Sequence, residues 1–371
     1  MNSLRTDREI LEEISHKFQI YGELLHAEVC KIGHLNETYT ATYYQAGTRV
    51  RYIHQRINTN VFKNPDHVME NITRVTKHIR DLLRRESINE VTRRTLTMVP
   101  TRDGKSYYRD INNNCWRTFF FIEGTRTYDT IMNENQAYQA GKAFAQFQSY
   151  LVDLKGERLH ETIPHFHDTR RRLEAFYQAV NTDPFNRAET SKREIEFIKK
   201  REKIAGIILD AMADGSIPER ITHNDTKLNN VMFDSNSDEA MCVVDLDTVM
   251  PGSVLYDFGD MVRTATSPTF EDEQDLSKVK IRPSFFQALA RGYVEGAGPF
   301  LAPKEKSLLT FSGKLITYTI GIRFLTDYLL GDTYFRVHRA QHNLDRCRTQ
   351  LRLVESIESK EAEYQKFIDS L

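Results

Sequence analysis

The sequence predicts an α+β chain of two lobes, a small β-rich amino-terminal lobe over residues 1–122 and a larger, mainly helical lobe over residues 123–371. Three observations point there. Alternating segments rich in β-branched and aromatic residues crowd the first third of the chain, the pattern of half-buried strands. Beyond Asn133, apolar residues recur at helical spacing almost to the end. A length of 371 residues is long for one hydrophobic core and suggests about two.

In order, Arg8 to Phe18 reads as an amphipathic helix, and Glu28–Ile32, Tyr39–Tyr44 and Val50–Ile57 read as strands. Ala46-Gly-Thr48 turns the second into the third. Between the first two lies Gly33-His-Leu-Asn-Glu37, either an ordinary hairpin turn or a single-glycine loop over nucleotide phosphates, with Asn36 among its donors. Asn64 before Pro65 is a strong helix start, a capping side chain followed by a residue preset for the first turn. Val68, Met69, Ile72, Val75, Ile79, Leu82 and Leu83 continue that helix. Strands follow at Arg94–Val99, Tyr107–Arg109 and Trp116–Ile122, with Asp103-Gly104 as a turn signal. The resulting order, β-β-β-α-β-β-β, resembles the lid that protein kinases fold over ATP. Phe121-Ile-Glu123-Gly124 then suits a hinge whose exposed backbone pairs with an adenine edge. Helical patterns cover Asn133–Asp153, His167–Val180, Arg187–Ala213, Ser284–Val294, Pro303–Gly331 and Asn343–Leu371.

Composition narrows the function. Lys plus Arg is 51 against Asp plus Glu at 52, so no global field recruits nucleic acid or a membrane. Mean hydropathy is −0.55, and no apolar run approaches the ~20 residues of a membrane span. The first ten residues lack the apolar centre of a secretory signal, so a cytoplasmic protein is expected. Cys30, Cys115, Cys242 and Cys347 show no Cys-x-x-Cys spacing, and neither a zinc site nor a disulfide framework is indicated. His165-Phe-His167-Asp168 lacks a third ligand at helical spacing, and Arg170-Arg-Arg172 reads as a solvated helix face.

The chemistry concentrates between Ile221 and Asp247. Val231-Met-Phe233 and Met241-Cys-Val-Val244 are short apolar runs joined by the polar turn Asp234–Glu239, a hairpin. Antiparallel pairing gathers Asp225 and Asn230, before the first strand, with Asp245 and Asp247, after the second. His223-x-Asp225-x-x-x-x-Asn230 places one carboxylate to orient a hydroxyl and accept its proton, and one amide oxygen to reach a metal. Hard oxygen donors around a charged substrate are what Mg²⁺ and a phosphoryl group require.

His223-Asn-Asp-Thr-Lys-Leu-Asn-Asn230, followed by Val244-Asp-Leu-Asp247 and Tyr256-Asp257-Phe-Gly-Asp260, resembles the aminoglycoside and choline phosphotransferase superfamily. Gly33–Tyr39, Gln55–Phe62, Gly321-Ile-Arg323-Phe and Gly331-Asp-Thr-Tyr334-Phe are similar to those of its members that phosphorylate the anomeric hydroxyl of N-acetylhexosamines. The resemblance implies a bilobal protein-kinase-like fold, ATP and Mg²⁺ as cofactors and a small-molecule sugar as partner. It implies Asp225 as base, Asn230 and Asp245 as metal ligands, and His223 as a residue that shapes the loop. Arg323, Tyr334 and His34 fall on the acceptor, Asn36 and Glu123 on ATP. Arg323 is otherwise a buried ion pair with Asp327, and Tyr334 a core aromatic. Asp247 is either a partner of the metal ligands or a solvated turn residue. Asp257 is expected at a helix start, supporting backbone N–H groups and bracing the catalytic loop. The strand lysine of protein kinases is missing, and Arg56 paired with Glu70 is its expected replacement, unless Arg56 is solvated. Two rivals stay open: a kinase of the same fold acting on another alcohol, such as an amino alcohol or aminoglycoside, and a nucleotide-binding pseudokinase.

Overall fold

The computed structural model describes residues 7–30 and 35–371, so Gly33 and His34 lie outside the described residues. After α1 (Asp7–Ser15), strands β1 (Glu23–Cys30), β2 (Glu37–Gln45) and β3 (Thr48–Ile57) form an antiparallel meander. Ala46 and Gly47 both take positive φ, 45° and 84°, the pair of angles that a two-residue hairpin turn demands. Helix α2 (Pro65–Arg85) starts where expected, with Asn64 Oδ1 accepting the His67 N–H, and buries Val68, Met69, Ile72, Val75, Ile79 and Leu83.

The next segment departs from expectation. Residues 91–94 form one helical turn, α3 (Val91–Arg94), and only Met98–Val99 is strand, β4. That turn sends Arg93 to the carbonyl oxygens of Glu123 and Gly124, a tertiary gain that local β propensity does not register. Strands β5 (Tyr108–Arg109) and β6 (Cys115–Phe120) complete the sheet, whose order is β1-β2-β3-β6-β4, with β5 also on β6.

Past the hinge, β7 (Thr125–Arg126) and α4 (Glu134–Tyr150) lead into the helical part. It comprises α5 (Thr169–Thr182), α6 (Lys192–Arg201), α7 (Ile207–Ala213), β8 (Arg220–Thr222), β9 (Val231–Asp234), β10 (Ala240–Val243), β11 (Met250–Gly252) and α8 (Val254–Ala265). It closes with α9 (Pro283–Ala297), α10 (Pro303–Ser307), α11 (Leu309–Leu329), α12 (His342–Glu358) and α13 (Glu361–Asp369). Three expected long helices are each broken, at 202–206, at Leu308 and at 359–360. Apolar spacing continues across each break, which is why periodicity alone runs the pieces together.

One apolar cluster extends from Ile57 and Phe119 of the sheet through α2 to Phe144, Phe258 and Ile316 of the helices. Helix α11 is buried on nearly every side and forms the axis against which α8 and α12 pack. The α8 contact is close because of Gly259, where a Cβ would stand 2.4 Å from the Ser312 carbonyl oxygen. Gly259→Val is expected to lower stability by roughly 1–3 kcal/mol through that overlap; urea unfolding with an unchanged midpoint would contradict this packing.

Candidate active site

The segment 220–252 contains two small antiparallel pairs. β9 and β10 form the expected hairpin, Val231 opposite Val243, while β8 pairs with β11, Thr222 opposite Met250. Between them the loop 223–230 has little regular hydrogen bonding of its own, and side chains hold it.

Asp257 holds it most tightly. Its fully buried carboxylate accepts the N–H groups of His223 (2.8 Å) and Asn224 (2.7 Å) and the Gln148 side-chain amide (2.7 Å). Its backbone carbonyl accepts the Thr226 hydroxyl at 2.7 Å. The helix-start role goes to Ser253, whose Oγ accepts the Leu255 N–H; Asp257 faces the loop. Burial pushes the Asp257 carboxyl up, against the hydrogen bonds it accepts. Asp260 takes the Thr226 N–H at 3.1 Å and is itself paired with Arg263 at 2.8 Å.

His223 is fully buried, with Phe144 and Phe147 against its ring. Its Nε2 donates to the Val244 carbonyl at 2.9 Å and its Nδ1 accepts the Asp225 N–H at 3.3 Å, a pattern that suits the neutral ring with its proton on Nε2. His223 thus ties the start of the loop to the end of β10. Asn224 and Asp245 have φ of 67° and 59°, the left-handed region that Asn and Asp tolerate best among residues with a side chain. Strained backbone of this kind clusters at functional sites.

Asp225 is half-buried. Burial alone would raise its pKa, but Lys227, with Arg263 further off, pulls it below the usual carboxylate range. Lys227 Nζ lies 2.9 Å from Asp225 Oδ1, and the attraction raises the lysine pKa in turn. Lys227 was not among the expected site residues; its place two positions after Asp225 was the available signal. Asn230 Nδ2 donates to the Asp225 carbonyl at 2.9 Å. That bond fixes the amide and leaves Oδ1 as its acceptor end. Asp245 is pushed up to about 7 by burial and by the carboxylates of Asp247 and Asp225, against the partial relief of Arg117 and Lys227. Donors Asn230 and Asp245, in a pocket with more negative charge than it solvates, fit a divalent cation.

Asp247 is not a solvated turn residue. It is 2% exposed, forms an ion pair with Arg117 of β6, and accepts Asn36 Nδ2 at 2.6 Å. Its backbone carbonyl accepts the Thr162 hydroxyl at 2.7 Å. Asn36 Oδ1 accepts the Asn58 N–H, so the described end of the β1–β2 loop is anchored onto the Asp247 carboxylate. The expected Arg56–Glu70 pair does not form. Arg56 pairs with Glu37, and Glu70 with His160 and Arg74. Strand alternation is the cause: Arg56 shares a face with Tyr52 and His54, and that face looks away from α2 toward the cluster of Leu11, Phe18 and Trp116. The cleft face of β3 carries Gln55, opposite Arg117 in register. At the hinge, the Glu123 carboxylate is exposed and paired with Arg51, and its carbonyl oxygen accepts Arg93 Nε at 3.0 Å.

On the acceptor side, Arg323 and Tyr334 come together, Nη2 to the hydroxyl at 3.3 Å. Arg323 is half-buried with its guanidinium carbon 5.4–5.6 Å from the ring centres of Phe166, Tyr334 and Phe335. Tyr334 is 65% exposed and no core aromatic. The Arg323–Asp327 pair is absent too; Asp327 accepts the N–H groups of Thr333, Tyr334 and Phe335 and the Asn343 amide. His167 links this patch to the loop, its Nε2 3.2 Å from the Asn224 carbonyl oxygen. Burial, with Arg323 and Arg172 nearby, lowers the His167 pKa to about 4, so the ring is neutral and donates that bond. Asp168 caps α5 through the Arg171 N–H.

The model of the phosphotransferase enzyme family matches residues 33–300, which contain the loop, both antiparallel pairs and α8. The chain belongs to that family. Family likeness extends to solved structures at low identity, which speak for the fold. An aminoglycoside phosphotransferase from Alicyclobacillus acidocaldarius superposes with a TM-score of 0.64 at 10% identity, covering 100% of this chain and 98% of its own. Spectinomycin phosphotransferase, solved with ADP and spectinomycin, gives 0.58 at 13% identity, with coverage of 96% and 99%. Choline kinase from Cryptosporidium parvum gives 0.53 at 12%, with coverage of 98% and 96%. The expected kinase-like fold, a β-rich amino-terminal part and a helical carboxy-terminal part, is the one observed.

The raised Asp245 pKa has a measurable consequence. A carboxylate whose folded pKa lies above its unfolded value binds more protons when folded, so stability falls as pH rises from about 4 to about 7. The cation-free protein is therefore expected to lose melting temperature over that window. Asp245→Asn should flatten the slope, and added Mg²⁺ should oppose it in the parent protein only. Equal slopes for the two proteins would remove Asp245 as its source.

Proposed function

We propose that this phosphotransferase is an N-acetylhexosamine 1-kinase, transferring the γ-phosphoryl group of ATP to the anomeric hydroxyl of N-acetylglucosamine or N-acetylgalactosamine. Asp225 orients that hydroxyl and accepts its proton as the oxygen bonds to the γ-phosphorus and the bond to the departing ADP oxygen breaks. Its low pKa suits late proton transfer in a loose transition state, where positioning and electrostatics carry most of the acceleration. Lys227, beside Asp225, meets charge developing on the transferred group. Asn230 and Asp245 would hold Mg²⁺, which would supply charge neutralisation at the nucleotide phosphates. Among the described residues no three His, Cys, Asp or Glu side chains converge to hold an ion, and Mg²⁺ commonly relies on one or two carboxylates plus water and phosphate oxygens.

The observation that carries the sugar reading is the wall around Arg323. A half-buried cation lined by Phe166, Tyr334 and Phe335, paired with no carboxylate among the described residues, repels an ammonium and suits a neutral acceptor rich in hydroxyl and carbonyl oxygens. Choline and aminoglycosides are cationic acceptors, and that wall disfavours them. The resemblance of Gly321–Phe324 and Gly331–Phe335 to hexosamine kinases supports the same choice. Asn36 and the Glu123 backbone are proposed on the nucleotide side, and His34 beside the acceptor.

Asp225→Asn is expected to reduce kcat roughly 10²–10⁴-fold while leaving the unfolding transition in place; a near-normal rate would remove Asp225 from the role of base. Across a panel of sugars, ADP release should be greatest with the two N-acetylhexosamines and absent with their anomeric methyl glycosides. Turnover of a methyl glycoside would move the transfer to another hydroxyl, and preference for an aminoglycoside or choline would overturn the sugar assignment.

A further inference from the structure

The cation that protein kinases carry on the third strand has a different address here. Gln55 occupies the cleft face of β3, and Arg117, its register partner on β6, is 1% exposed. Arg117 Nε donates to Gln55 Oε1 at 2.9 Å, and Gln55 Nε2 to the Thr38 hydroxyl at 3.1 Å, so the guanidinium is held to the sheet from one side. Nη1 forms the ion pair with Asp247. The α2 side chain facing Arg117 is Met69, its sulfur 3.9 Å from Nη1, where a helix glutamate would otherwise stand. Nη2 donates to none of the described residues.

A guanidinium 1% exposed, with its Nη2 end bonded to none of the described residues, suits a site where an anionic acceptor meets that end. Its surroundings say what fits. Asp247 stands two residues after Asp245, and its other oxygen takes Asn36 of the β1–β2 loop, so Arg117 lies between the sheet and the proposed metal ligand. An arginine fork there matches phosphate oxygens geometrically and keeps its charge on burial.

We propose that Arg117 is the residue that grips the nucleotide phosphates from the sheet, with Asp247 of the opposite lobe, in place of a glutamate on α2, as the counter-ion that positions it. This rests on the phosphotransferase reading but not on the identity of the acceptor. One consequence distinguishes it from a sheet-internal pair: the cation and its counter-ion belong to different lobes, so phosphate binding and lobe contact share one ion pair. Asn36, on the same carboxylate, ties the β1–β2 loop into it.

The test is nucleotide binding without acceptor, measured by isothermal titration calorimetry with ADP and ATP, each with and without Mg²⁺. Arg117→Met should weaken binding at least tenfold, and Arg56→Ala by less than twofold. Because Arg117→Met strands Asp247 as a buried unpaired charge, Arg117→Met/Asp247→Asn is measured beside it; circular dichroism and the melting temperature establish that the protein scored is folded. Gln55→Lys/Arg117→Met returns a cation to β3 on the same face and should recover most of the lost affinity, which a structural role for Arg117 would not allow. Unchanged nucleotide affinity in the folded Arg117 variants, or a loss confined to Arg56→Ala, overturns the proposal. Failure of the parent protein to bind either nucleotide would sink the ATP-dependent reading and this proposal together. Tight nucleotide binding with no sugar turnover would sink only the acceptor assignment.

Discussion

The candidate active-site loop hangs from one buried carboxylate. Asp257 sits in the first turns of a helix packed tightly on the central helix through Gly259, and it accepts the backbone N–H groups of His223 and Asn224. A loop that carries Asp225 and Asn230 five residues apart has no regular ladder to satisfy its own backbone. Each buried N–H left unpaired would cost on the order of 1–3 kcal/mol. Spending a buried carboxylate on them converts a flexible turn into a rigid platform. Asp260, through Thr226, extends the same hold one residue past Asp225.

The second constraint is charge. Burial, with the carboxylates of Asp247 and Asp225 nearby, pushes the Asp245 carboxyl up to about 7. Each has a different answer to its neighbours. Lys227 compensates Asp225, Arg117 compensates Asp247, and Asp245 has no such direct partner among the described residues. The uncompensated member is the one placed to face a cation. The charged groups also separate along the site: Asp225 next to Lys227, Asp247 next to Arg117, and Arg323 among aromatic rings. His167 connects the last of these to the loop without carrying charge.

Legibility in the sequence followed the range of the interactions. The hairpin of residues 231–243, the helix that starts at Asn64 and the turn at Ala46-Gly47 are local, with side-chain periodicity and turn chemistry close together in sequence. The single helical turn at 91–94 was hidden because Arg93 gains its partners at residues 123, 124 and 234. The place of Asp257 in the sequence suits both a loop brace and a helix cap; the structure keeps the brace and gives the cap to Ser253. For Asp247 the open alternative closed, because Arg117 is 130 positions away in sequence and no local pattern joins them.

By itself the sequence determined the class of fold and the chemistry at its centre, because His223 to Asp247 is a compact pattern whose spacing and strand ends already bring the oxygen donors to one edge. It determined equally that the chain is close to neutral, with a formal net charge of −1 at pH 7. Tertiary structure alone decided which cation faces the cleft. Arg56 and Arg117 are both arginines on strands, and only the packing of the sheet against α2 says which side of each strand is inside. Alternation defines two faces without labelling them; burial against the neighbouring helix labels them, and it chose Arg117.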